Sequence, residues 1–168
     1  MAEQNSTSTN SNSNWLDWGL LMLRLGIAAF LIINHGWGKF AGAMGYLFGG
    51  QEWGFIGFVG SIGFPLPTFF ALCAAFAEFL GCLLVAVGLF TRYGASFVAC
   101  TMAVAVFFHL KTNSPFELAA IYFLVAIFLV FAGAGRFSID AWLGNRAQRK
   151  LENDLGDQQN RRARPELA

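Results

Sequence analysis

Residues 15–37, WLDWGLLMLRLGIAAFLIINHGW, and residues 68–90, TFFALCAAFAEFLGCLLVAVGLF, decide the fold of this chain. As an α-helix rising about 1.5 Å per residue, each stretch is long enough to cross a hydrocarbon layer of about 30 Å. Each also carries a charged residue far from its ends, Arg24 in the first and Glu78 in the second. An ionised side chain in hydrocarbon costs several kcal/mol, by estimates from about 2.5 to over 10. Such residues are therefore found where they form an ion pair, contact water or take part in function. We therefore expect function to lie near these two residues.

The composition also indicates a membrane protein. Hydrophobic residues make up 56% of the 168 positions, charged residues only 12%, and the mean hydropathy is +0.52. Too little polar surface is left for a soluble globular domain of this size. The net charge of +1, with basic residues gathered in the tail, does not favour a nucleic-acid partner. Cys73, Cys82 and Cys100 all fall in apolar segments without CxxC spacing, which is typical of packing residues rather than metal or redox sites.

Two further apolar segments, residues 95–110 and 117–134, follow the first two. The sequence therefore predicts an all-α integral membrane four-helix bundle, in which tight connections at 91–94 and 111–115 make helices two, three and four antiparallel neighbours. The connection at residues 38–67 is long, apolar and rich in glycine. We expect it to form an interfacial or re-entrant loop between helices one and two, since its backbone groups must be satisfied by protein.

Three regions are predicted along the chain. Residues 1–14 form a Ser/Thr/Asn leader that should be disordered, residues 15–143 the transmembrane domain, and residues 144–168 a charged cytoplasmic tail. Lys and Arg after helix four and in the turn between helices two and three predict that both termini are cytoplasmic. Ile139, Trp142 and Leu143 favour a short interfacial helix at the start of the tail.

Glu78 is expected to face the bundle interior, because residues three and four positions away on its helix are small. By depth Arg24 and Glu78 both come near mid-membrane, so we predict a buried ion pair between them. A purely structural pair that fixes the helix register is the alternative interpretation.

A polar cluster is predicted at the outer side of the bundle. Asp17, Arg24 and His35 fall within about 20° of one face of helix one, at 100° per residue. Lys39 lies one turn beyond His35, and the topology brings His109 and Glu117 to the same level. The candidates for a ligand pocket or proton relay are therefore Arg24, His35, Lys39, Glu78, His109 and Glu117. The bland alternatives are a snorkelling Lys39 and a His35 that only hydrogen-bonds a loop.

Five short motifs, in this order and spacing, resemble the DoxX family of small bacterial membrane proteins: LRLG at 23–26, HGWGK at 35–39, GSIGFPLP at 60–67, AEFLG at 77–81 and GRFSID at 135–140. The resemblance covers residues 16–143. It implies a four-helix protein of the bacterial inner membrane, with relatives that include the small membrane subunit of a thiosulfate:quinone oxidoreductase. It implies no catalytic assignment for the polar residues, and no metal site is expected.

Three hypotheses follow for the function. The first is a redox-associated subunit whose pocket binds a quinone headgroup or a small anion, working with a partner subunit or as a homo-oligomer. The second is a non-catalytic scaffold or small-solute carrier in the lipid bilayer. The third is a haem protein with His35 and His109 as axial ligands. Whether the chain is catalytic stays open at this point.

Overall fold

The computed structural model describes residues 4–163, and the surroundings of side chains from Asn14 to Asn160. All regular structure in this part of the chain is helical. The helices are α1 (Gln4–Leu31), α2 (Trp37–Gly49), α3 (Gly54–Ser61), α4 (Pro67–Phe76), α5 (Cys82–Val87), α6 (Thr91–Lys111), α7 (Glu117–Ala132) and α8 (Ile139–Ala163). Two π-helical turns interrupt them: the first π-turn, Ile32–Gly36, joins α1 to α2, and the second π-turn, Ala77–Gly81, joins α4 to α5.

Three continuous helices are long and apolar enough to cross a membrane: Asn14–Gly49, Pro67–Val87 and Thr91–Lys111. Glu117–Ala132 is a shorter apolar helix that packs along α6. The chain is thus an all-helical protein with several membrane-spanning segments. The fourth span stays a prediction.

The glycine-rich connection differs from the prediction. Helix one was expected to end near Trp37, but it continues through α2 to Gly49 and stops at Gly50, which takes a left-handed conformation with φ 62°. The glycines within α2 do not break it, because they admit neighbouring side chains: Gly42 lies under the Trp53 indole, and Gly45 under Gln51. The chain then turns through α3, which packs on α4.

The start of α1 also differs from what the sequence predicts. The helix begins at Gln4, whereas the sequence predicts its start at Trp15. Once the apolar residues have formed a helix, each further residue at its end adds one hydrogen bond and requires the ordering of only that residue. The helix can therefore extend into the polar segment before it. Residues 1–3 of the leader and 164–168 of the tail lie outside the described residues, and the division into three regions stays a prediction.

Small residues pack inside the bundle and large ones point outward. On the second long helix Ala71, Ala75 and Cys82 are buried, whereas Leu80 and Leu83 are exposed, as the sequence pattern predicts. This arrangement suits a membrane, where lipid solvates leucine and phenylalanine as well as protein does. The closest crossing joins Gly81 to Gly94: a Cβ added to Gly94 would lie 2.8 Å from the carbonyl oxygen of Gly81.

Candidate functional site

Lys39 and Glu78 form the central charged contact of the bundle. Lys39 Nζ donates to Glu78 Oε1 at 2.5 Å, and the side chains are 27% and 3% exposed, respectively. The second carboxylate oxygen, Oε2, is buried and has no hydrogen-bond partner among the described residues. Glu78 therefore offers a buried acceptor position beside an ammonium group that is partly accessible.

One aromatic ring contacts this pair, and three others lie beside it along the helices. Lys39 Nζ lies 5.0 Å from the centroid of the Phe55 ring, a cation–π geometry contributed by α3. Phe40 stacks on Phe79 with centroids 4.2 Å apart and an interplanar angle of 18°, and Trp37 lies 5.9 Å from Phe79. The site thus combines one buried ion pair with flat apolar surfaces.

The two π-turns meet at the site and place its residues. A Cβ added to Gly36 of the first π-turn would lie 3.2 Å from the carbonyl oxygen of Glu78 in the second. Along the long first helix, the next buried residue after Leu31 is Gly36. The two are five positions apart, whereas buried residues on one face of an α-helix are three or four apart. The step is that of a π-turn, which inserts one residue into the helical repeat.

This insertion explains why the prediction for His35 is wrong. Asp17 and Arg24 share the buried face as predicted, but His35 lies within the π-turn and is exposed. Counting at 100° per residue is valid only for an uninterrupted α-helix. Gly36 takes the inward position instead, and Lys39 follows it one turn later.

The predicted Arg24–Glu78 pair is also wrong. Arg24 is 1% exposed, but its Nη1 donates to the carbonyl oxygen of Ala134 and its Nη2 to that of Phe137 at 2.7 Å. Because helix one runs on to Gly49, Glu78 meets it fifteen residues beyond Arg24, about 22 Å along the axis. The two buried charges therefore belong to two separate sites.

Arg24 lies in a polar network at the other end of the bundle. Asp17 Oδ1 accepts the backbone N–H of Arg136 at 2.9 Å. Asp140 accepts the N–H groups of Phe90 at 2.8 Å and Thr91 at 3.0 Å, and so caps the start of α6. These contacts satisfy backbone groups where helices end, which indicates a structural role for this network.

Asp140 was not among the sequence candidates. Its signal lies in the GRFSID motif, where the backbone N–H of Asp140 also donates to the carbonyl oxygen of Gly88 at 2.8 Å. Gly88 has φ 72° and lies against Arg24 and Ser138. The GRFSID motif, quoted above for the family resemblance, therefore connects α8 to the end of α5 and the start of α6 through Asp140.

The other candidates do not join Lys39 and Glu78. Glu117 is exposed at the start of α7. His109 is half-buried near the end of α6, with Nδ1 enclosed and without a partner among the described residues. Since Val98 packs at the level of Gly81, His109 lies about 12 Å further out than Glu78. Of the four ionisable groups expected at one level, only Lys39 forms an ion pair with Glu78 in the described part of the chain.

Two cavities lie away from this site. A small cavity of about 10 Å³ in the apolar core, lined in part by Cys82 and Val85, has no room for a ring-shaped ligand. A wider groove runs beside Phe137 and Trp142 at the Arg24 end. Within the described residues, no three His, Cys, Asp or Glu side chains are grouped to hold a metal ion.

Comparison with known proteins adds two findings. Residues 19–110, more than half of the chain, match the model of the DoxX family; the resemblance noted in the sequence runs further, to residue 143. A protein of Haemophilus influenzae (strain ATCC 51907 / DSM 11121 / KW20 / Rd), described as an uncharacterized protein, is 33% identical over 140 residues. That match covers 78% of this chain and 95% of the relative. No solved structure matches the chain.

Proposed function

Because the chain belongs to the DoxX family, we propose that it is a redox-associated membrane subunit in which Lys39 and Glu78 bind a quinone headgroup. The observation that carries the proposal is the buried Glu78, whose Oε2 has no hydrogen-bond partner among the described residues and whose Oε1 accepts from Lys39 at 2.5 Å. Polar groups held in this way inside a membrane protein commonly mark ligand or proton pathways.

A quinone fits this arrangement better than a small anion does. The Lys39 charge is already balanced by Glu78, so the pair offers no net positive charge to an anion. A quinone instead presents two carbonyl oxygens, which need donors, and a flat ring, which can pack against Phe55 or Phe79. The ammonium of Lys39 can donate to one carbonyl while it keeps its contact with Glu78.

The chemistry proposed for the pair is binding and proton transfer. Reduction of a quinone to a quinol takes up two electrons and two protons. The electrons would come from a partner subunit that carries the redox centre. Glu78, ionised in its pair with Lys39, would take up a proton from water and pass it to the reduced quinone oxygen that Lys39 holds. Water would supply the second proton to the other quinone oxygen. If no such partner exists, the same site would serve a scaffold or carrier.

The proposed topology places the pair within the membrane of a bacterial cell, the inner membrane in this family. We propose that α7 is the fourth span, because it packs along α6 and is apolar after Glu117 at its start. Arg92, Arg136, Arg146 and Arg149 lie near one end of the bundle, with the network of Arg24. The bias of Lys and Arg toward that end supports cytoplasmic termini.

Binding of a short-chain quinone analogue to purified protein in nanodiscs tests the proposal. Lys39→Met and Glu78→Gln should each weaken binding by about tenfold or more, which corresponds to roughly one charge-assisted hydrogen bond of 1.5 to 3 kcal/mol. Lys111→Met is a matched control, since Lys111 also lies over a phenylalanine, 4.9 Å from the Phe107 centroid, but is exposed. Glu117→Gln is the corresponding control for the carboxylate.

A functional measurement complements the binding assay. Membranes from cells with and without the protein would be compared for quinone-dependent oxidation of thiosulfate, and the purified protein for a Soret band. If no quinone analogue binds the wild type, or if the controls weaken binding as much as Lys39→Met, the proposal is wrong and a scaffold is the better account. A Soret band would instead support the haem hypothesis.

A further inference from the structure

A surface groove lies at the Arg24 end of the bundle, between the end of α5 and the start of α8. Its volume is about 540 Å³, and its lining residues are Val87, Phe137, Ser138, Ile139 and Trp142. Val87 is the last residue of the second long span, and Thr91 begins the third. The groove therefore lies at the level where the hydrocarbon of a bilayer gives way to the headgroups.

The groove is apolar, and contacts behind its walls fix its shape. Its hydrophobic lining residues are between 39% and 51% exposed. The Ser138 hydroxyl is used within the chain, because it donates to the carbonyl oxygen of Gly135 at 2.6 Å and accepts from the N–H of Ala141 at 3.1 Å. Arg24 Nη2 holds the carbonyl oxygen of Phe137 from the interior. The groove is thus a preformed apolar surface, which suits a hydrocarbon chain rather than a polar ligand.

Basic side chains follow the groove on the same face of α8. Arg146 Cζ lies 3.8 Å from the centroid of the Trp142 ring, which forms one wall of the groove. At 100° per residue, one face of α8 about 120° wide carries Ile139, Trp142, Leu143, Arg146, Arg149 and Lys150. Among the described residues, no carboxylate lies within 4.0 Å of the Arg146 guanidinium. Hydrocarbon surface and positive charge therefore follow one another along one side of the helix.

We propose that the groove binds an anionic phospholipid, with one acyl chain against its apolar lining and the phosphate against the Arg146 guanidinium. Arg146 lies one helical turn beyond Trp142, about 6 Å, so the charge stands next to the end of the groove. A guanidinium over an aromatic ring keeps its N–H groups in its own plane, where they can donate to phosphate oxygens. Arg149 and Lys150 add positive charge, which favours an anionic over a zwitterionic headgroup.

A free anion accounts for fewer of these observations. It would use only the basic part of the site and would leave the apolar groove to bulk lipid. A phospholipid occupies both parts with one molecule, and its phosphate lies at the same depth as the ends of the spans.

Native mass spectrometry of the intact protein in mild detergent, with equal amounts of dioleoyl phosphatidylglycerol and dioleoyl phosphatidylcholine, tests the proposal. The wild type should retain phosphatidylglycerol preferentially. Arg146→Gln should lower that preference about fivefold, the order expected for one arginine at an anionic lipid surface. Arg92→Gln is the matched control and should leave the preference unchanged: Arg92 is exposed at the same end of the bundle, but its Nη2 donates to the carbonyl oxygen of Phe131 at 3.4 Å, away from the groove lining.

The acyl-chain part of the site is tested separately by filling the groove. Val87→Trp places a large side chain in the groove and should remove most of the retained phosphatidylglycerol. Leu83→Trp makes a similar change one turn earlier on α5, at an exposed position outside the lining, and should leave retention unchanged. Equal retention of both lipids by the wild type, an equal effect of Arg92→Gln and Arg146→Gln, or full retention by Val87→Trp would overturn the proposal. Quinone binding by Lys39 and Glu78, at the other end of the bundle, does not depend on it.

Discussion

The ion pair of Lys39 and Glu78 should respond unequally to removal of its two members. Glu78 is 3% exposed on its side chain, whereas Lys39 is 27% exposed and also contacts the Phe55 ring. Lys39→Met leaves a carboxyl group enclosed in the bundle without a cation. Glu78→Gln leaves an ammonium that can turn toward the surface on its flexible stem. We therefore expect the lysine substitution to be the more destabilising one.

The structure sets the approximate size of both effects. Breaking a fully buried pair by removing one partner costs about 3 to 5 kcal/mol. Because Lys39 keeps part of its contact with the surroundings, we expect Lys39→Met to lower the free energy of unfolding by about 2 to 3 kcal/mol. For Glu78→Gln we expect about 1 kcal/mol, since the amide can still accept from Lys39. The double variant should lose at least 1 kcal/mol less than the sum, as expected for groups in contact.

Equilibrium unfolding in mixed detergent micelles, titrated with SDS, measures these values as a double-mutant cycle. Lys111→Met, which removes an exposed lysine from another phenylalanine ring, should change stability by less than about 0.5 kcal/mol. Two results would refute this reasoning: a larger loss for Glu78→Gln than for Lys39→Met, or zero coupling in the cycle. Zero coupling would mean that the two groups do not interact, and a larger loss for Glu78→Gln would mean that their unequal exposure does not set the two costs.

Three other substitutions and labels test the rest of the fold. Gly94→Ala should destabilise the protein by about 1 to 3 kcal/mol and lower its melting temperature in detergent, because the added methyl would lie 2.8 Å from the Gly81 carbonyl oxygen. Gly19→Ala, which has free space around it, should leave stability unchanged or raise it slightly. Asp140→Ala removes the acceptor of two amide groups at the start of α6 and should cost about 1 to 2 kcal/mol in the same assay. Cysteines at Gln51 and Gln158 should react with impermeant reagents from opposite sides of the membrane in intact cells, and labelling of both from outside would refute cytoplasmic termini.

Sequence reasoning succeeded where one helix face could be read locally. Small residues around Glu78 predicted its inward position, because a stripe spaced by three and four residues marks one face of a helix. The burial of Arg24 was also expected from its place in an apolar segment. Its partners were not, because carbonyl oxygens of Ala134 and Phe137 carry no side-chain signal and lie more than a hundred residues away along the chain.

The pairing of Lys39 with Glu78 depended on two features that the sequence does not reveal. The first helix had to continue past its glycines, and a π-turn had to shift its inner face. A residue pattern gives the repeat of a helix but not the position of an inserted turn, which depends on contacts with the second long helix. Lys39 therefore pairs with Glu78 in place of the predicted Arg24, and His35, four residues earlier, is exposed.

The paired π-turns also have an evolutionary consequence. A π-turn is equivalent to one residue inserted into an α-helix, so deleting one residue of Ile32–Gly36 would restore an unbroken helix and leave the residues that follow on the same face. Lys39 would still face Glu78, and Gly42 would still lie under Trp53. A deletion within α2 would instead rotate the residues after it by about 100°. Single-residue gaps in descendants of the chain should consequently be tolerated within Ile32–Gly36 and selected against within α2.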